Sequence, residues 1–182
     1  EDLARSLAVE NFIALGPDAL AQVGGVGRVA EVSRERFGQL DGSKITEDYI
    51  AALDFLKTSS YTTGRVGVVG FCWGGGMANS LAVRLPTLAA AVVYYGPQPA
   101  AADVPNINAP LLLHYADRDE RINAGWPAYE AALRSAGKTY TVHQYEDTEH
   151  SFSFGGSPRH DPSATALAWG RTIDFLNQHL RE

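Results

Sequence analysis

The sequence predicts an α/β fold: a mostly parallel sheet flanked by helices, in one domain covering residues 1–182. Three observations predict it. Strand-like and helix-like segments alternate from one end of the chain to the other. Three of the strand-like runs are apolar almost without interruption, as strands covered on both faces of a parallel sheet are. The connections between segments are short, so successive β-then-α units must cross over and return parallel.

The elements follow in order. Residues 2–11 read as a weak helix and residues 12–15 as a short apolar strand, stopped by Gly16 and Pro17. A second weak helix is expected over 27–38, preceded by Gly24, Gly25 and Gly27, which read as a turn. They lack both the strong preceding strand and the Lys-Ser/Thr pair of a phosphate loop. Residues 47–58 place Ile50, Leu53 and Leu56 on one helical face, with Thr46 as N-cap and Ile45 and Ile50 spaced as a hydrophobic staple. Strands are then expected over 65–70, 89–95, 110–116 and 138–145. Helices over 75–85 and 124–136 separate them, the latter ended by Gly137. A final helix over 163–180 carries a core stripe of Leu167, Ile173, Phe175, Leu176 and Leu180.

The 182 residues carry a net charge of −6, with both signs spread along the chain. Such a surface repels phosphate backbones, and no basic patch offers a nucleic acid or an acidic membrane a landing site. No apolar run reaches the ~20 residues that span a bilayer. The chain has one cysteine. An internal disulfide and a multi-cysteine zinc site are therefore excluded. A lone free thiol without a visible export signal leads to the expectation of a cytoplasmic protein.

That cysteine lies in Gly70-Phe71-Cys72-Trp73-Gly74, where an apolar strand meets a helix of small residues. A G-x-S-x-G elbow has this form, here with sulfur in place of oxygen. The tight strand-to-helix turn lifts the nucleophile clear of the sheet, and the flanking glycines let strand and helix backbones pass closely. The helix N-terminus favours thiolate and oxyanion, with the Trp73 N–H as the first oxyanion-hole donor. Asp119 follows the strand over 110–116, and His150 follows the strand ending at Tyr145. Nucleophile, acid and histidine thus come in the chain order of α/β-hydrolases, each past the C-terminal end of a successive strand, where open sheets bind ligands. Asp117 competes for the acid role, and periodicity does not choose between the two aspartates. His114 and His143 read as strand residues without a catalytic role, and His160 and His179 as solvated.

Gly70-Phe71-Cys72-Trp73-Gly74-Gly75, Tyr94-Tyr95-Gly96, the run from Arg118 to Asn123 followed by Trp126, and Glu149-His150-Ser151-Phe152 together resemble the dienelactone hydrolase family. The resemblance extends from about Leu3 to the C-terminus. It implies a triad of Cys72, His150 and Asp119, and it puts Asp119, not Asp117, in register with the family's acid. Two departures accompany it. The chain begins at a point resembling the family's first helix, so the sheet is expected to lack the N-terminal strands. The loop that the resemblance implies for a second oxyanion-hole donor, and the acidic residue that contacts the resting thiol, are expected to be lacking with them. Phe154 stands where the archetypal enzyme has an arginine for the substrate carboxylate, which favours an ester or lactone other than dienelactone itself.

The expected chemistry is hydrolysis of a small ester or lactone through a thioester acyl-enzyme, with no metal and no organic cofactor. Phe71, Tyr95, Trp126 and Phe152 are candidates to line an apolar substrate pocket. The rival class is a non-catalytic relative that binds a ligand or partner; a shortened sheet exposes an edge, which leads to the expectation of a homodimer. A thiol-transfer role lacks a second cysteine to resolve a mixed disulfide, and a serine esterase is excluded by the sulfur itself.

Overall fold

The apolar runs of the sequence become neighbouring strands of one sheet in the computed structural model of the protein, which describes residues 2–25 and 35–181. The strands are β1 (Gly67–Phe71), β2 (Ala90–Tyr94), β3 (Leu111–Ala116) and β4 (Tyr140–Tyr145), in the order β1-β2-β3-β4. Every pairing is parallel; Val93 lies opposite Gly70 on one side and Leu113 on the other. β2 and β3 are buried at every residue, whereas β4, at one edge, is fully buried only at Tyr145. Each strand starts one or two residues later than the sequence suggests.

The chain divides into two compact units, residues 1–64 and 65–182. The first unit holds helix α1 (Asp2–Val9), a short 3-10 turn (Ala21–Val23) and helix α2 (Gly42–Thr58). The expected strand over 12–15 does not form. Asn11 enters the left-handed region (φ 61°), and the Phe12 N–H closes α1 by donating to Leu7 O at 3.0 Å. The run thus begins as a helix cap with its first donor spent. α2 starts earlier than the periodicity indicates because the cap is Asp41, not Thr46. Asp41 accepts from the Ser43 and Lys44 N–H groups, while Thr46 lies inside the helix with its hydroxyl on Gly42 O at 2.7 Å. Gly24 and Gly25 form the expected turn at positive φ, their carbonyls held by Arg36. Val26, Gly27 and most of the expected helix over 27–38 lie outside the described residues.

The second unit contains the sheet and helices α3 (Trp73–Arg84), α4 (Glu120–Asn123), α5 (Trp126–Ser135) and α6 (Pro162–Leu180). Successive strand residues point to opposite faces, and β3 shows what covers each. His114 bonds Thr172 of α6, whereas Tyr115 meets Trp126 of α5. Helices on both faces explain why β2 and β3 can be apolar throughout. Gly137 (φ 62°) follows α5 as expected, and α6 is capped by Asp161, which accepts from the Ala164 N–H. Among the described residues, no helix is long and apolar enough to cross a membrane.

The face under α6 carries a buried polar chain. His114 is wholly buried and bonds Tyr145 OH through Nδ1 (2.8 Å) and Thr172 Oγ1 through Nε2 (3.1 Å); Thr172 also bonds Tyr94 OH at 2.7 Å. Burial, with His143 and Arg171 nearby, pushes the His114 pKa down from 6.5 to about 3. The imidazole is thus a neutral structural link. Between those two values the unfolded chain binds the proton and the folded chain does not. Its contribution is therefore intact above the unfolded value and is lost as pH falls towards the folded one. Urea unfolding should show stability falling by up to ~1.4 kcal/mol per pH unit below about pH 6.5 from this group. His114→Gln, which hydrogen-bonds without titrating, should flatten that slope.

Candidate active site

The site is assembled at the C-terminal ends of the four strands. Leaving β1, the chain turns into α3 at Cys72, whose φ of 52° and ψ of −119° make it the helix N-cap without a side-chain cap bond. An L-residue adopts such angles only under strain held in place by its surroundings. Here the Cys72 N–H donates to Tyr94 O at 3.1 Å, and Cys72 O accepts from the N–H groups of Gly75 and Gly76. A Cβ on Gly70 would lie 1.9 Å from Gly74 O, and one on Gly75 would lie 2.8 Å from Gly96 Cα. Gly74, by contrast, has nothing within 4 Å of such a Cβ. The glycines that permit the elbow are therefore Gly70 and Gly75, and the motif glycine Gly74 is not sterically required.

The other strand ends deliver Tyr95, Asp119 and His150. Asp119 caps α4, Oδ1 accepting from the Ile122 N–H at 3.3 Å and Oδ2 bonding His150 Nδ1 at 2.5 Å. Its side chain is 5% exposed and that of His150 is 23% exposed. The pair is held by a lacing of the two loops: Asp117 N–H to Tyr145 O at 3.1 Å and Arg118 N–H to Thr148 O at 2.9 Å. An Arg118–Asp147 ion pair adds to it. Asp117 points elsewhere, accepting from the Asp147 N–H, and Asp119 is the carboxylate bonded to His150. With Nδ1 committed to Asp119, Nε2 of His150 is left as the basic nitrogen.

Cys72 is half-buried, and its Sγ lies 3.5 Å from Ser151 Oγ. Ser151 itself adopts φ 71°. Tyr95, at φ 38°, sets its ring 5.0 Å from His150 and 5.4 Å from Phe152, and its hydroxyl bonds Ser153 Oγ at 2.5 Å. Burial, with Cys72 close by, pushes the Tyr95 phenol up to about 12, against the lowering by Ser153. It is thus a neutral prop for the imidazole.

Of the aromatic candidates, Tyr95 and Phe152 are almost fully buried; the Tyr95 ring lies against His150, and Phe152 packs on Tyr95 and Tyr145. Phe71 is half-buried and stacks on Tyr94, and Trp73, at the start of α3, is 39% exposed. Trp126 lies in a different cluster, with Tyr115, Tyr129 and Tyr140. Beside the Asp119–His150 pair opens a cleft of about 400 Å³, lined further by Arg118, Glu120, Arg121, Glu149 and Arg159. The arginines of this cleft and the hydroxyls of Ser151 and Ser153 were given no role from the sequence, although Arg118, Arg121 and Ser151 stand in the motifs that carry the resemblance. Ser151 could have been found there, because it directly follows His150. Among the described residues, no three His, Cys, Asp or Glu side chains converge as a metal cage.

A parallel sheet between helices, with a strained elbow after β1 and an acid–histidine pair after β3 and β4, is the α/β-hydrolase architecture. Comparison with known proteins narrows this. The profile of the dienelactone hydrolase family matches residues 1–180, and the chain belongs to that family. A protein of Methylorubrum extorquens is 29% identical over 98% of this chain and 67% of its own length. The carboxymethylenebutenolidase of Pseudomonas putida is 34% identical over 71% of this chain and 55% of its own. A crystal structure from Klebsiella pneumoniae shares the fold, with a TM-score of 0.86 at 23% identity over 97% of this chain and 80% of that one.

Proposed function

We propose that the protein hydrolyses small carboxylic esters or lactones with Cys72 as nucleophile, His150 as base and Asp119 as the acid that orients it. The observation that carries this reading is the Asp119–His150 bond at 2.5 Å, in a family of hydrolases, with a cysteine at the neighbouring elbow. The relatives' lactone chemistry supports the substrate class. The free thiol suits a reducing, cytoplasmic setting.

His150 Nε2 takes the proton of Cys72. The thiolate adds to the carbonyl carbon, and the oxyanion forms at the start of α3, where the Trp73 N–H and the helix dipole favour negative charge. Collapse expels the alkoxide, which takes the proton from His150, and leaves a thioester on Cys72. Water, deprotonated by His150, then releases the acid and restores the thiol. Asp119 fixes the tautomer and supports the imidazolium throughout. Tyr95, itself packed on Phe152, lies against the imidazole.

Steady-state hydrolysis of a panel of short aryl esters and five-membered lactones tests the reading. His150→Ala should lower kcat/KM by ~10³-fold or more on every substrate that the native protein turns over. An unchanged kcat/KM in a folded His150→Ala protein would refute it.

A further inference from the structure

β4 closes one side of the sheet with its outer edge unpaired. Among the described residues its strand partner is β3 alone, and the register runs from Tyr140 to Tyr145 without a skipped residue. On the β3 side, the carbonyls of Thr139 and Tyr145 accept from the N–H groups of Leu111 (3.0 Å) and Asp117 (3.1 Å). Residues along a strand turn their backbone groups to alternate sides. Tyr140, Val142 and Gln144 therefore turn their N–H and C=O groups away from β3. Natural edge strands are usually guarded by a proline, a bulge or a lysine within the strand. The segment Tyr-Thr-Val-His-Gln-Tyr has none of these. Its aromatic and β-branched residues suit a strand with neighbours on both sides.

The charges at the two ends of β4 differ in sign. Lys138 stands two residues before the strand and Glu146 directly after it; among the described residues, neither side chain has a hydrogen bond or ion pair. The other charged groups beside the strand are engaged: Arg134 pairs with Glu130, and Arg171 lies over the Tyr145 ring. A second copy of β4, laid antiparallel with a two-fold axis at Val142, answers both features. Val142 then faces its counterpart, Tyr140 faces Gln144 of the second copy, and Lys138 falls opposite Glu146 at each end. Each outward-turned residue of the strand exchanges N–H···O bonds with another. Moving the axis to residue 141 or 143 leaves one of them without a strand partner and takes Lys138 away from Glu146.

We propose that β4 is the interface through which two copies of this chain pair antiparallel across a two-fold axis at Val142, joining their sheets into one. This gives the homodimer expected from the sequence a particular edge. Such pairing is closed, because it uses up the edge in both copies.

Sedimentation velocity over a concentration series reaching the millimolar range tests it. The native protein should pass from one chain mass to two. Val142→Pro removes an outward N–H, where edge strands tolerate proline, and should stay monomeric throughout. Lys138→Glu sets two carboxylates opposite each other, and Glu146→Lys sets two ammonium groups opposite each other. Each should raise the dimer Kd about tenfold, since the dimer holds the contact twice. The double variant Lys138→Glu/Glu146→Lys restores opposite charges and should return Kd to within about threefold of native. Far-UV circular dichroism shows whether Val142→Pro is folded; if it is not, the charge variants decide alone. A native protein that stays monomeric, a dimer that persists in folded Val142→Pro, or a double variant no better than its parents would overturn the proposal. So would masses beyond two chains, which need a second contact surface.

Discussion

Cys72→Ala should lose at least ~10³-fold in kcat/KM towards any ester or lactone the protein hydrolyses, while unfolding at nearly the native denaturant concentration. The two halves of this expectation have separate causes. Activity depends on the sulfur, because no other side chain occupies the elbow at the start of α3. Stability depends on the backbone, and alanine takes the same positive φ at about the same cost as cysteine. The bonds that hold the elbow, Cys72 N–H to Tyr94 O and Gly75 N–H to Cys72 O, use no side-chain atom. The stability change should stay within about 1 kcal/mol, the range of substitutions that open no cavity and strand no buried polar group. Parallel urea titrations and initial-rate measurements separate the two.

The second large effect is expected at Asp119, and its size should depend on charge, not on fold. Asparagine caps helices as well as aspartate does, so Asp119→Asn can keep its oxygen on the Ile122 N–H at the start of α4. Its amide then faces His150 Nδ1 as a donor. That makes Nδ1 the acceptor, moves the ring proton to Nε2 and removes the base. Turnover should fall by ~10²- to 10⁴-fold with little loss of stability. Asp117→Asn should leave kcat/KM within about twofold, because Asp117 is exposed and accepts from the Asp147 N–H, a bond an amide oxygen can also make. Equal losses in the two variants would show that the loop, and not the carboxylate on His150, is what matters.

The sheet was legible in the sequence because its cause is local and continuous. Runs such as AAVVY and LLLHYA have few alternatives to a strand covered on both faces, and glycines and prolines mark their ends. The acid–histidine pair was legible for a topological reason: in a parallel sheet all strands present their C-terminal ends on one side, which brings the turn holding Asp117 and Asp119 beside the loop of His150, and the family resemblance singled out Asp119. Other features depend on contacts that sequence spacing does not encode. Residues 12–15 have the composition of a strand, but the first N–H of the run closes α1. Thr46 is a good cap residue, but Asp41 lies upstream and lets the helix begin earlier. The elbow glycines were placed by motif symmetry at Gly70 and Gly74. The close approach of Gly75 to Gly96 depends instead on how α3 crosses the end of β2.

The same limit explains the aromatic residues. A tyrosine or phenylalanine beside a catalytic motif reads equally well as pocket lining or as packing. Only the fold shows that Tyr95 lies against the imidazole with Phe152 packed on it, while Trp126 belongs to another cluster. The charged character of the cleft was also hidden, because Arg159 lies far along the chain from Arg118 and Arg121 and joins them only beside His150. Arg118 and Arg159 are engaged by Asp147 and Glu149 respectively.

The central claim is that Cys72 carries the acyl group, and intact mass spectrometry tests it most directly. The protein is mixed briefly with an activated ester, quenched in acid and weighed beside Cys72→Ala treated in the same way. The account predicts one acyl mass on the native protein, decaying with further incubation in water, and none on the variant. The same adduct on Cys72→Ala, or ester turnover by that variant at the native rate, would contradict it.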